Sequence, residues 1–182
     1  MLSTMTWVSV AHAADIALIL VGSVRSNTAT TDLPNATVAN KVSFGGGLLG
    51  VAPINGNFAF RSGFLINQRY VELGPVAPQG TVDINFVYVD VPLTPMFLFT
   101  NEAGIFAGPV IAMNVIKDCT GGLASCGATN VKSVIVPWTV GVQARFFGQL
   151  GGEIFYEKVF GDAADNVSNF TTVGGNILFY FD

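Results

Sequence analysis

The sequence predicts an all-β fold, an eight-stranded antiparallel up-and-down transmembrane β-barrel, and three observations predict it. The 182-residue chain is 51% hydrophobic and only 11% charged, a charged share less than half that of a soluble globular domain. No stretch nonetheless reaches the ~18 uncharged apolar residues of a membrane-crossing helix, and 21 glycines and 8 prolines interrupt the hydrophobic segments. Apolar character that is high in total, nowhere continuous and of period two suits strands whose residues face lipid and lumen in turn.

The alternation is cleanest from Val134 to Phe146. Val134, Val136, Trp138, Val140, Val142, Ala144 and Phe146 share one face, and Ile135, Pro137, Thr139, Gly141, Gln143 and Arg145 the other, which is the period of a strand and not of a helix. The same pattern recurs from Phe58 to Arg69 and from Thr172 to Phe181. Strands are expected near residues 15–24, 41–52, 57–70, 81–99, 104–117, 131–146, 151–160 and 171–181. Short turns are expected at Asn55-Gly56, Asn101-Glu102 and Gly148-Gln149; Asn-Gly is a strong hairpin signal because both residues tolerate positive φ. Ser26–Asn40, Glu72–Gly80, Asp118–Asn130 and Gly161–Phe170 are the longer connections. Transmembrane barrels keep short turns on the periplasmic side and long loops outside, so both termini are expected in the periplasm and all four long loops outside.

Thr81 to Phe99 is the least regular stretch. Val82, Ile84 and Phe86 follow one phase and Val89, Val91, Leu93, Phe97 and Phe99 the other, so a β-bulge is expected near Val87 or Tyr88. Pro92 and Pro95 lack ladder donors and are expected at bulges or unpaired positions.

Residues 1–13 are read as a signal peptide, with Ala11 and Ala13 forming an A-x-A cleavage signal and one barrel domain over 14–182. The segment has no Lys or Arg, so the alternatives are a signal peptide whose start lies further upstream and an ordinary N-terminal strand. Cys119 and Cys126 flank a Gly-rich stretch that suits a disulfide-closed loop in an exported protein, with two free thiols as the alternative.

The polar face of the strands is mostly Gly, Ser, Thr and Asn with sparse Arg and Asp, whereas a soluble barrel would show dense Lys and Glu there. That face therefore reads as a lumen. Phe58, Phe60, Phe97, Phe99, Phe146, Phe179 and Phe181, on the opposite face near short turns or the C-terminus, are the expected aromatic girdle. Eight strands enclose a lumen only wide enough for side chains to fill, so the lumen charges must pair. Counting across the hairpins places Arg61 near Asp90, Arg69 near Asp83, and Arg145 opposite Glu153, with Glu157 further along the same strand. A polar plug is the expected role of this network, against a proton or ion path.

Asp90-Val91-Pro92-Leu93, followed by Gly108-Pro109, resembles the small outer-membrane β-barrel families, in particular the broad OmpX-like and PorT-like group. Such an acidic-apolar-Pro-Leu strand and apolar-Gly-Pro step are a familiar pairing in that group. The resemblance covers residues 15–182 in layout and implies residence in the bacterial outer membrane, contact with its lipid, and insertion by the barrel-assembly machinery through the C-terminal strand. The group commonly ends in an aromatic residue; here Phe181 is one residue short of the end.

Gly45, Gly47 and Gly50 match G-x-G-x-x-G, but no helix pattern follows and Pro53 and Asn55-Gly56 end the run in a turn, so no dinucleotide site is expected. His12, inside the signal segment, is the one histidine of the chain, which removes His-dependent catalysis from the mature domain. No nucleophile elbow and no metal-ligand cluster is present in the sequence. The expectation is a protein without enzymatic activity, cofactor or metal, and its charge of −4 gives no sign of nucleic acid. A structural or surface-interaction barrel with a filled lumen, meeting an extracellular ligand at its loops, is the first functional reading; a narrow channel or transporter for small or apolar solutes is the second.

Overall fold

The computed structural model describes residues 16–32, 36–76, 80–120, 130–165 and 167–181, which form strands, turns and short connections. The expected signal peptide and Cys126 lie outside the described residues. The strands are β1 (Ala17–Thr31), β2 (Thr37–Asn55), β3 (Phe58–Val76), β4 (Gly80–Pro92), β5 (Thr94–Leu98), β6 (Ala103–Thr120), β7 (Val134–Ile135), β8 (Trp138–Phe147), β9 (Leu150–Lys158), β10 (Asp162–Ala164) and β11 (Val167–Phe181). They form one antiparallel sheet closed by the pairing of β1 with β11. β4 and β5 are two lengths of one wall strand broken at Leu93, β7 and β8 two lengths of another broken at Val136–Pro137, and β10 is an appendage of β11. The wall therefore has eight strands in up-and-down order.

The register sets the barrel's dimensions. Following paired residues from Ala144 through Gly152, Ile177, Gly22, Gly46, Ile66, Val89 and Met113 returns to the starting wall strand at Val134, ten residues from the start. With about 3.3 Å per residue and about 4.8 Å between strands, that stagger tilts the strands by roughly 40° and closes them at a radius of about 8 Å. A lumen so narrow fills with side chains.

Outward-facing residues form an apolar band. On β3 it runs over Phe58, Phe60, Ser62, Phe64 and Ile66; on β7 and β8 it runs over all of the outward residues from Val134 to Phe146. At the tilt above, five to seven such positions rise roughly 20–30 Å, the height of a bilayer core. Phe64 and Ile177 are each 68% exposed, which in water would be a large unfavourable apolar surface.

Above this band the pattern inverts. The strands are longer than expected at the loop end, because polar runs such as Ser26–Thr31 and Thr37–Asn40 are strand here. Ser26 and Gln68 begin an outward face of polar residues, while the inward residues Val71, Leu73, Val82, Ile84 and Phe86 are buried. A barrel wall that leaves the membrane meets water outside and must bury its apolar side chains inside. This corrects the expected change of phase. In β4, even-numbered residues from Val82 to Pro92 all face inward, without interruption. The irregularity opposite Val87/Tyr88 is an extra residue on β6, where Val87 pairs with Ile116 and Tyr88 with Asn114. Asn114 Nδ2 secures it by donating to the carbonyls of Val87 (3.3 Å) and Ile116 (3.1 Å).

Two of the short turns form differently from the expectation. The first hairpin turns at Gly56-Asn57, with Asn55 Oδ1 accepting the N–H groups of Asn57 and Phe58 at 3.1 and 3.0 Å. The second spans Phe99–Glu102, where Thr100 Oγ1 accepts from Glu102 and Ala103. The third turns at Gly148-Gln149, and Gly148 has φ 48°, which favours glycine.

Candidate functional site

The lumen is filled in three zones. Towards the loops lies an apolar zone in which Val71, Leu73, Val82, Ile84, Phe86, Val167 and Phe170 pack together. Towards the short turns, Ile19, Leu49, Leu178 and Tyr180 form one apolar group and Ala59, Met96, Phe106 and Phe155 another. Glycines make room for the rings: a Cβ at Gly141 would run into the Phe106 ring, and one at Gly174 into that of Phe155.

Between the apolar zones lies a band of buried charge. Three cations, Arg25 on β1 and Arg61 and Arg69 on β3, meet three acids, Asp90 on β4 and Glu153 and Glu157 on β9, so the charges balance. Arg69 holds Asp90 in a fork, with Nη1 to Oδ1 at 3.1 Å and Nη2 to Oδ2 at 3.0 Å, and reaches Glu157 Oε1 at 2.7 Å. Bidentate geometry is the strong form of this contact. Asn67 Nδ2 donates to Asp90 Oδ2 at 2.7 Å. Arg61 Nη2 lies 2.7 Å from Glu153 Oε2, and Asn176 Nδ2 donates to Glu153 Oε1 at 2.8 Å. Arg25 is held more loosely: Nη1 is 3.9 Å from Asp90 Oδ2, and Nε donates to Ser23 Oγ at 3.1 Å. Aromatic faces complete the band, with Phe106 under Arg61 (4.1 Å), Tyr88 under Arg69 (4.8 Å) and Phe155 under Arg25 (4.9 Å). A cavity of about 20 Å³, close to the size of one water, remains beside Arg25, Arg61, Asp90, Glu153 and Asn176.

Five of the lumen residues named from the sequence, Arg61, Arg69, Asp90, Glu153 and Glu157, thus come together, but with other partners. Arg61 meets Glu153 rather than Asp90, and Arg69 meets Asp90 and Glu157 rather than Asp83. Arg69–Asp90 joins the adjacent strands β3 and β4 out of direct register, Asp90 being paired with Leu65, whereas Arg61–Glu153 and Arg69–Glu157 cross the lumen between β3 and β9, which counting along hairpins does not reach. Asp83 is on the outward face of β4 beyond the apolar band, where it accepts the Tyr70 hydroxyl, and that bond raises the Tyr70 pKa. Nearby, Lys41 pairs with Glu72, a bond that raises the Lys41 pKa. Arg145 sits opposite Gly151, not Glu153; its guanidinium lies 4.8 Å from the centre of the Tyr180 ring and its Nε donates to the Gly148 carbonyl. Arg25 was not found from the sequence. Its signal was the inward phase of Ile19, Val21 and Ser23, one step beyond the expected strand end.

The seven named phenylalanines all face outward and are exposed near the short turns or the C-terminus. Phe58 meets Phe97 edge to face at 5.3 Å, Phe97 meets Phe99 at 5.8 Å, and Phe179 meets Phe181 at 5.4 Å. Gly45, Gly47 and Gly50 lie within β2, and a Cβ at Gly47 would strike the Phe64 carbonyl, so the glycines serve close strand approach.

No protein-family model and no curated protein matches the chain. Among solved structures, it is similar to the outer-membrane protein OprG from Pseudomonas aeruginosa, with a TM-score of 0.54 at 11% identity, over 92% of this chain and 97% of that one. It is also similar to Ail, the attachment invasion locus protein of Yersinia pestis, in complex with the heparin analogue sucrose octasulfate: TM-score 0.51, 15% identity, 91% of this chain and 98% of that one. A second structure of Ail gives the same TM-score at 12% identity. At these identities the likeness is one of fold, and it agrees with the closed register and the apolar outer band: the chain has the fold of the small eight-stranded outer-membrane β-barrels.

Proposed function

We propose that the protein resides in the bacterial outer membrane as a closed scaffold, with both termini periplasmic and the extended strand ends and loops as an outer contact surface. The observation that carries this reading is the lumen: a charge-balanced band held by Arg69, Asp90 and Glu157 lies between two apolar zones. An ion moving along the axis would have to leave its water to pass either apolar zone. The seven phenylalanines serve as the periplasmic girdle, and the C-terminal strand β11, ending in Phe179, Tyr180 and Phe181, is the segment offered to the barrel-assembly machinery. The outer surface mixes Lys41, Lys117, Lys132 and Lys158 with Glu72, Asp83, Asp118 and Asp162. A partner there meets mixed charge and hydrogen-bonding groups rather than one strong field. Cys119, near the end of β6, is proposed to close its loop by a disulfide to Cys126. Liposome swelling in small sugars tests the closed scaffold: vesicles carrying the protein swell no faster than empty ones, and size-dependent swelling would overturn the reading.

A further inference from the structure

The wall is not equally bonded all round. Leu65 pairs with Asp90 and Arg61 with Thr94 in one continuous register, yet pairing lapses over Ser62–Phe64 against Val91–Leu93. Pro92 explains the lapse. It pairs with Val110 on its β6 side, so its missing N–H is the one that would have gone to Gly63 on the β3 side. On the other edge, pairing with β6 lapses between Pro92/Val110 and Met96/Phe106, apart from Leu93 N donating to Pro109 O at 2.9 Å. Pro95, paired with Phe60 on β3, has no donor for Ala107. Pro137 accepts from Val110 N at 2.8 Å and returns nothing. Pro92, Pro95 and Pro137 thus remove three ladder donors from one patch of wall, in a region where lipid offers the orphaned carbonyls no water.

The inner side of this patch is the charged band. Arg61, Leu65, Asp90 and Pro92 all line the cavity beside it. We infer that the wall parts sideways at Gly63/Pro92, giving the charged band an access from the bilayer while both ends of the lumen stay closed. The opening is three residues long, about 10 Å along the strand. Because the cations and acids of the band balance, the ligand class it suits is a small bilayer-soluble molecule with an uncharged hydrogen-bonding head.

The test is reaction of a lumen cysteine with a reagent dissolved in the bilayer. Leu65→Cys lines the cavity at the seam; Leu178→Cys, also buried and inward, sits where β11 pairs with both neighbours, across the barrel from the seam, and serves as control. In lipid vesicles, N-hexylmaleimide modifies Leu65→Cys and spares Leu178→Cys, with Cys119 and Cys126 scored separately by peptide mapping. Adding Pro92→Ala restores one ladder donor and slows the reaction by about tenfold, the order set by one net hydrogen bond. Equal reaction at both positions, no reaction at position 65, or indifference to Pro92→Ala would overturn the inference. A second measurement needs no cysteine: in bilayers, the amide of Gly63, which faces Pro92 across the seam, exchanges with deuterium about 10²-fold faster than those of Leu48 and Leu49, and equal rates would overturn it as well. Neither result bears on axial closure, which the swelling assay reads separately.

Discussion

Arg69 is the side chain on which the charged band depends. Replacing it with Met keeps most of the volume and removes the fork to Asp90 and the contact to Glu157. Two buried carboxylates are then left with Arg25, whose nearest approach to Asp90 is 3.9 Å. Breaking a buried ion pair from one side destabilises by about 3–5 kcal/mol, which for a chain of this size lowers Tm by about 6–20 °C. Circular dichroism melting in lipid vesicles measures it. The triple variant Arg69→Met, Asp90→Asn, Glu157→Gln should recover most of the loss, because it removes the stranded charges along with their partner. A double-mutant cycle locates the pairing: coupling of about 1–3 kcal/mol between positions 69 and 90, and less than about 0.5 kcal/mol between 61 and 90. A melting point for Arg69→Met within about 1 °C of the parent would refute the reasoning.

Other perturbations follow from the wall and its surface. Gly63→Ala places a Cβ against the Leu48 carbonyl and is expected to destabilise by about 1–3 kcal/mol, read by urea unfolding in vesicles; an unchanged midpoint would contradict the close approach of β2 and β3. Asn114→Ala leaves the β6 bulge without its two side-chain bonds and should lower stability by about 1–3 kcal/mol in the same assay. The Tyr70 phenol, held protonated by its bond to Asp83, should ionise above its ordinary value of 10.0. The difference between parent and Tyr70→Phe absorbance on raising pH measures this, and Asp83→Asn should move the midpoint down.

The lipid-facing half of the fold was legible because bilayer and lumen impose opposite demands on alternate residues. Val134 to Phe146 kept one phase from sequence to structure. Reading failed where the surroundings change. Beyond Ser26 and Gln68 the outside is polar while the inside is apolar, so polar strand ends look like loops and Val82–Val91 looks apolar in both phases. The expected strand end near residue 24 hid Arg25, and the same inversion misplaced Asp83 into the lumen. The other acidic and basic residues of the band could be named, but their partners could not. Hairpin counting gives neighbours within the wall, whereas Arg61–Glu153 and Arg69–Glu157 span the barrel and depend on its stagger.

The central claim is that the lumen is closed from end to end by a neutral band of buried charge between apolar zones. Single-channel recording of the purified barrel in planar bilayers tests it most directly. The account predicts no sustained open steps above the bare bilayer, and reproducible open steps of uniform size would contradict it.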